Sequence, residues 1–340
     1  MEIIYEGRRV DLWGLVREIM RPDRLPLYDP WFPRYHRWLG EDQKLENYIH
    51  YLRVLLRQAG FELRGRRILD AGCGFGLTAL FLHLLGAEEV HGLDCHAGMI
   101  QTFHTYLAFL PFPVRVYPRQ GDVAQMPYEN ASFDLILSIE AISHYRQVEA
   151  FLAEAGRLLR PGGTLIIVDG NNIRHRSTLL KTRQIWAAFE NGPATENIYG
   201  HRVEKPFVQM RREMIANAFP HLADCELDDL SRETTGLAGD EVLAAVREYL
   251  QMGRRPGRRW DGMTCPLDPA HGYYIERLLD PFALADEARR VGFQVVVRPY
   301  FGGARGGIVQ WANEVLSQPA LAPLMLRFTP AFRIFGRLKK

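Results

Sequence analysis

The stretch Ile68-Leu69-Asp70-Ala71-Gly72-Cys73-Gly74-Phe75-Gly76, followed by an acid at Asp94, decides the reading of this chain. Its first residues continue an apolar strand over 66–70, its glycines make a turn, and the residues from 77 onward open a helix. The next strand, 89–93, delivers the chain to a carboxylate. Glycines let main-chain N–H groups and a helix N-terminus approach a ligand closely, and an acid one strand later can accept hydrogen bonds from both ribose hydroxyls. Taken in order, these pieces describe a pocket for a nucleoside cofactor.

Working outward, strands and helices alternate. The pattern predicts helix 43–59, helix 77–86, helix 97–109, strand 114–118, strand 133–138, helix 147–159 and strand 164–169. Alternation with short connections implies an α/β fold with a parallel, doubly wound sheet. After Asp169 the pattern changes to long helical stretches, proline-rich breaks and the basic run Arg254-Arg255-Pro256-Gly257-Arg258-Arg259. The core pattern resumes with helix 282–291, strand 293–300, a glycine-rich turn at 302–307 and an apolar run at 308–311. The last two segments read as a hairpin whose arms pair antiparallel.

The glycines stand at 72, 74 and 76, a G-x-G-x-G spacing, whereas dinucleotide binding usually shows G-x-G-x-x-G. A pyrophosphate cradle is therefore disfavoured, and a nicotinamide-dependent oxidoreductase becomes the second reading. Three further stretches accompany the glycine turn: Gly121-Asp122 with Met126-Pro127, Ser132-Phe133-Asp134-Leu135-Ile136-Leu137-Ser138, and Arg157-Leu158-Leu159-Arg160-Pro161-Gly162-Gly163-Thr164-Leu165-Ile166-Ile167. In order and interval the four pieces resemble the class I S-adenosylmethionine-dependent methyltransferases of small-molecule type. The resemblance implies a Rossmann-like, doubly wound seven-stranded sheet with one reversed strand, here joined by a mainly helical inserted cap.

It also implies S-adenosyl-L-methionine as cofactor, held by Asp70, Gly72, Cys73, Gly74, Gly76, Asp94, Cys95, Met99, Asp122, Val123, Ile139 and Glu140. Within that set Asp94 meets the ribose and Asp122 the adenine amino group. Asp70, together with Asp134, is placed near the cofactor's amino acid end. Plainer roles stand beside these: Asp94 as a helix cap for 97 onward, Asp122 as turn chemistry, and Asp134 as a structural acid.

Methyl transfer from a sulfonium is an in-line displacement, so more binding residues than catalytic ones are expected. The segment 138–145 leaves the fourth strand beside the methyl group, and His144 there has the ring chemistry to take a proton from an acceptor hydroxyl. Ile139-Glu140-Ala141 with His144 also resembles a stretch of the sterol and tocopherol methyltransferases, and more loosely the lipid cyclopropane synthases. The latter carry a glutamate just before the histidine. Ser143 occupies that place here, which disfavours cyclopropanation and leaves oxygen and carbon methylation open. Asn171, Asn172 and His175, with His201 further on, are the candidates for acceptor contact.

The predicted organisation is an N-terminal arm and helix covering the cofactor site at 1–60, a core at 61–170 and 281–312, an inserted substrate cap at 171–280, and a basic amphipathic tail at 313–340. The arm is rich in aromatics (Trp13, Tyr28, Trp31, Phe32, Tyr35, Trp38), which could cover a sulfonium or simply pack. A closed cap suits a small-molecule acceptor, among them a saccharide or a lipid-linked intermediate.

The chain has 340 residues, 47% hydrophobic and 24% charged, with a formal charge of +2. Near-balanced charge implies no attraction to bulk polyanions, so nucleic acid is not an expected partner. Cys73, Cys95, Cys225 and Cys265 form no C-x-x-C pair, so no metal is expected and reduced thiols in a cytoplasmic setting are. The first thirty residues lack a long apolar core, so no leader or spanning helix is expected. Residues 321–340 contain no acid and alternate apolar with basic side chains, the pattern of a tail that lies on the inner face of a membrane or docks on the core. A third reading is a binding protein that keeps the nucleoside pocket without catalysis and docks partners or membrane through cap and tail.

Overall fold

In the computed structural model the motif's first strand, β1 (Arg67–Ala71), is buried over its last four residues and lies in the interior of a seven-stranded sheet. An apolar run without alternation suits only a strand covered on both faces. β1 pairs in parallel with β2 (Glu89–Asp94) on one side and β4 (Phe133–Ile139) on the other. β3 (Val116–Gln120) continues outward from β2, and β5 (Leu159–Asp169) continues from β4, both in parallel. β6 (Phe293–Tyr300) and β7 (Ala331–Leu338) complete the order β6-β7-β5-β4-β1-β2-β3. β7 runs antiparallel to both its neighbours. The structure describes residues 2–193, 195–196, 202–302 and 307–339.

The chain moves outward through β1, β2 and β3, then returns to the other side of β1 with β4. A crevice therefore opens at the carboxyl ends of β1 and β4, where open α/β sheets receive ligands. The helices that flank the sheet are α1 (Asp42–Gln58), α2 (Leu77–Leu84), α3 (Ala97–Leu107), α4 (Val148–Leu158) and α5 (Pro281–Arg290). A sixth, α6 (Gly307–Leu316), leads towards β7.

α1 buries Leu45, Ile49, Leu52, Leu55 and Leu56, the stripe its spacing predicts. The N-terminal arm begins with a hairpin (Glu2–Tyr5 with Arg8–Asp11) and the helix Leu12–Ile19, capped by the Asp11 carboxylate. Neither element was visible in its aromatic composition.

The expected doubly wound sheet with one reversed strand is present, but the reversed strand is not where the sequence placed it. Residues 308–311 lie in α6, and the second arm of the hairpin is 331–338. Four apolar residues in a row cannot separate helix from strand by period. The true strand was hidden because arginines interrupt it. Its alternation puts Phe332 and Ile334 on one face, fully buried, and Arg333, Phe335 and Arg337 on the other. The basic tail at 313–340 is thus not one amphipathic element, and eight of its residues form an interior strand. The glycine-rich turn falls largely on 303–306, outside the described residues.

Two compact units result, one of residues 1–142, 147–170 and 281–340, the other of 143–146 and 171–280. The second unit is mainly helical, as expected of the insert: Arg176–Asn191, Phe207–Ala218, Asp224–Glu233 and Asp240–Met252. Ile215, Leu230, Val242 and Val246 form its apolar centre. Its buried Arg211 is bound by Glu190 and by the Ser231 carbonyl. The basic run is paired in part inside this unit, where Arg255 and Arg259 both reach the buried Glu233. Among the described residues no helix is long and apolar enough to cross a membrane.

If β7 is an interior strand, truncating the fully buried Ile334 removes core packing on one face of the sheet. Ile334→Ala is expected to cost about 2–5 kcal/mol in a urea unfolding midpoint experiment. A change within about 0.5 kcal/mol, as for a surface tail, would contradict the assignment.

Candidate active site

The turn after β1 places Gly72, Gly74 and Gly76 at φ values of 70°, 53° and 72°. This left-handed region is open to glycine and costly for other residues. Gly76 also caps α2, and a Cβ there would lie 1.9 Å from the Phe103 ring. The N–H groups of Gly72 and Cys73 donate to the Leu93 carbonyl at 2.8 and 3.0 Å, and that of Gly76 donates to the Cys73 carbonyl at 2.9 Å. The Gly74 N–H donates to Asp94 Oδ2 at 2.9 Å. Four of the amides expected to face a ligand are therefore spent on holding the turn. The glycines provide close backbone approach rather than a ring of free donors.

Asp94 is turned onto this loop. Its second oxygen accepts from the His96 N–H at 2.9 Å, so one carboxylate fastens the glycine turn to the start of α3. Each oxygen keeps lone-pair capacity for a further donor. The helix cap suspected of Asp94 belongs to His96, whose Nδ1 accepts from the Met99 N–H at 3.3 Å. Met99 stands over the turn, its sulfur 3.8 Å from where a Cβ on Gly74 would be.

The Gly121 N–H donates to the Asp94 carbonyl at 2.9 Å, which brings the following loop alongside. There Asp122 is exposed and accepts from the Ala124 N–H with one oxygen, while Val123 is buried. Cys95 is exposed, and burial beside Asp94 and Asp70 keeps the Cys73 thiol protonated.

Asp70 is the chemically unusual member. It is 2% exposed, its Oδ2 has no hydrogen-bond partner, and burial, reinforced by the charge of Asp94, pushes its carboxyl up to about 7. A buried carboxyl oxygen without a donor is costly and calls for a ligand or a function. Asp134 corrects the expectation attached to it. It lies at the opposite, amino-terminal end of β4, where it accepts from the Arg67 N–H at 2.9 Å and from Arg160 Nη1 at 3.0 and 3.1 Å. That bonding makes it a structural acid, remote from the glycine turn.

At the carboxyl end of β4, Glu140 has φ +50°, a strained value for a side chain of its size, and accepts from the Gly170 N–H at 3.0 Å. Ile139 and Glu140 line a cavity of about 410 Å³ together with Tyr48, Tyr51, Tyr300 and Arg333. The Tyr48 and Thr78 hydroxyls are 2.6 Å apart, which ties the cavity wall to the first turn of α2. Sequence reasoning missed this chamber because Tyr48 sat within the apolar stripe of α1. The available signal was the pair Tyr48 and Tyr51, two aromatics with polar tips three residues apart.

The aromatic arm packs. Phe32 is fully buried, with ring centroids 5.1 Å from Phe75 and 5.9 Å from Tyr106, and the Trp31 ring carries the Arg34 guanidinium.

The remaining predicted residues belong to the second unit. His144 Nδ1 lies 2.8 Å from the Tyr274 carbonyl, so that nitrogen is the donor, and Nε2 lies 3.9 Å from Glu276 Oε1. Glu276 also accepts from the Asn171 amide. Asn172 is fully buried and caps the turn by accepting from the Arg174 N–H at 2.9 Å. His175 is bonded to the Thr178 hydroxyl at 2.7 Å, and burial lowers its affinity for a proton. His201 lies outside the described residues.

Comparison with known proteins places these observations. Residues 69–167 match the family model described as a methyltransferase domain. Over 120 residues the chain is 35% identical to the ubiquinone biosynthesis O-methyltransferase of Azorhizobium caulinodans, covering 34% of this chain and 46% of that protein. Over 112 residues it is 38% identical to phthiotriol/phenolphthiotriol dimycocerosates methyltransferase 1 of Mycobacterium ulcerans, covering 32% and 39%. Over 135 residues it is 32% identical to the fatty-acid O-methyltransferase of Mycolicibacterium smegmatis, covering 38% and 46%. The chain thus spans less than half the length of these curated relatives.

Asp70 makes a pH signature. The native carboxyl holds its proton up to about 7, whereas the unfolded one releases it near the ordinary value of 3.8. Between those values the native state binds more protons, so the group's contribution to stability falls as pH rises and has fully turned unfavourable above 7. Asp70→Asn should therefore gain stability relative to the parent between pH 4 and pH 7, with a constant difference above. Urea unfolding of both proteins across that window tests this; a difference independent of pH would refute the buried, unpartnered carboxyl.

Proposed function

We propose that this chain, whose residues 69–167 make it a member of the class I S-adenosylmethionine-dependent methyltransferases, moves a methyl group to an oxygen or carbon of a small molecule. The observation that carries the reading is Asp70, a buried carboxyl with an oxygen in want of a donor, beneath a glycine turn that Asp94 holds open. Those residues fit the cofactor. An acid with an unused acceptor suits a cationic ammonium group, spare lone pairs on Asp94 suit ribose hydroxyls, and the exposed oxygen of Asp122 suits an adenine amino group. The bound cofactor supplies an activated methyl group on sulfur. Gly72, Gly74 and Gly76 allow main chain to lie against it, and Cys95, Met99, Val123, Ile139 and Glu140 complete the wall.

The acceptor reading rests on the chamber beside Ile139 and Glu140. Its volume of about 410 Å³ is in the range of small-ligand pockets, and its tyrosine lining suits a molecule with an apolar body and polar groups. The names of the matched relatives, which refer to quinone, lipid and fatty-acid methylation, favour a non-polymeric acceptor.

His144 is the group we assign as general base. Donation from Nδ1 to a carbonyl leaves the Nε2 lone pair available, with Glu276 Oε1 3.9 Å from that nitrogen. The bonding of Asn171, Asn172 and His175 favours positioning roles over direct acceptor contact. The interior placement of β7 leaves the membrane-lying tail without its support, and the early third glycine together with the family match disfavours the nicotinamide reading.

Calorimetric titration tests the assignment. S-adenosylmethionine and S-adenosylhomocysteine are expected to bind, with affinity at least about tenfold weaker in Asp94→Ala; tight binding of a nicotinamide dinucleotide alone would end the proposal. In a labelled-methyl assay over a metabolite pool, His144→Ala should lower turnover by about 10²–10⁴ with cofactor affinity intact. Equal loss of both would give His144 a structural role instead.

A further inference from the structure

The register of β6 and β7 sets Arg298 directly opposite Arg333. Directly opposed residues project from the same face of a sheet, and like charges placed so repel. Arg337, four residues along β7, shares that face. Among the described residues no carboxylate pairs with any of the three. Their hydrogen-bond partners are neutral: Arg333 Nη1 donates to Gln58 Oε1 at 2.7 Å, and Arg337 Nη1 to the Thr164 hydroxyl at 2.9 Å.

Arg333 is 3% exposed, with its guanidinium carbon 3.7 Å from the centroid of the Tyr300 ring. The Nε atoms of both Arg298 and Arg333 are buried without a hydrogen-bond partner. Arg211, equally buried in the second unit, shows the usual solution, an ion pair with Glu190.

A buried guanidinium without an anion is several kcal/mol less favourable than a paired one. Protection of an exposed sheet edge does not account for Arg333 and Arg337, since β7 is an interior strand; only Arg298 stands on the edge strand, β6. A second cavity of about 290 Å³ is lined by Gln58, Thr164, Gln294, Arg298 and Arg337. Gln58 also borders the tyrosine-lined chamber, into which Arg333 faces. Burial and the neighbouring charge of Arg333 hold the Arg298 guanidinium below its ordinary proton affinity.

We propose that Arg298, Arg333 and Arg337 form a binding site for a phosphate-like oxyanion, either free or carried by a larger ligand that extends into the tyrosine-lined chamber. Planar guanidinium groups match tetrahedral oxyanions through paired N–H donors, and a dianion between opposed arginines converts repulsion into attraction. None of the three arginines is assigned to the methyl donor, although a larger ligand reaching the chamber would meet Ile139 and Glu140.

The test is thermal shift and calorimetry on the full chain with inorganic phosphate, phenyl phosphate and, at matched ionic strength, chloride. Both phosphates should raise the melting temperature above the chloride control. Arg298→Gln and Arg337→Gln should each weaken phosphate binding at least about tenfold, and Arg298→Gln should raise the melting temperature of the ligand-free protein by relieving repulsion.

Phenyl phosphate binding about tenfold tighter than inorganic phosphate would assign the oxyanion to a larger ligand, and equal binding would assign it to a free anion. A shift no greater than with chloride, or unchanged phosphate binding in both variants, overturns the site. Arg337, exposed, keeps the experiment decisive if the Arg298 variant does not fold. S-adenosylmethionine titrated into the same samples separates this result from the methyl-transfer reading.

Discussion

The carboxylate of Asp94 joins two pieces of chain on which the site depends. One oxygen takes the N–H of Gly74 and the other the N–H of His96, so the glycine turn after β1 and the entry to α3 are held by one side chain. The left-handed conformation at three glycines is the condition for that contact, because only there does the main chain bend back far enough to reach the end of β2. With the amides of the turn engaged internally, what remains for a ligand is close backbone approach, spare carboxylate lone pairs and the unpartnered oxygen of Asp70. The crevice is built from acceptors more than from donors. That polarity fits a cofactor whose recognition groups are hydroxyls, an amino group and a cation.

The other half of the first unit is organised by the reversed strand. β7 lies between β5 and β6, and its alternation gives it two different faces. Phe332 and Ile334 belong to the apolar interior. Arg333 and Arg337 share the other face, where Gln58 and tyrosines receive Arg333 while Arg337 is exposed and donates to the Thr164 hydroxyl. A strand that buries arginine beside tyrosine trades stability for chemistry, since an aliphatic residue would pack there without the cost of a desolvated charge. The same side holds the chamber bordered by Glu140 and the smaller cavity beneath Arg298.

Much of the first half of the site was legible in the chain. Glycine at alternate positions after an apolar strand has few structural uses, so Gly72, Gly74 and Gly76 and the acid at 94 could be assigned from spacing. The apolar stripe of α1 and the strands of the doubly wound sheet followed from period. Asp134 misled because an acid beside a strand looks the same at either end; its partners Arg67 and Arg160 come from other strands' ends and appear only on folding. β7 was misplaced because its arginines resembled a solvated tail. Nothing local records that α1 covers Arg333.

The sequence alone determined the sheet's parallel, doubly wound class, the glycine turn and the acids around it, because those features depend on residues near one another in the chain and on the fixed geometry of strand, turn and helix. Only tertiary structure decided which strand closes the sheet, which of the acids lacks a partner, and where arginines lie opposed. Those properties depend on pairing between segments that are not neighbours in the chain. Burial and charge become defined only when the opposing side chains arrive.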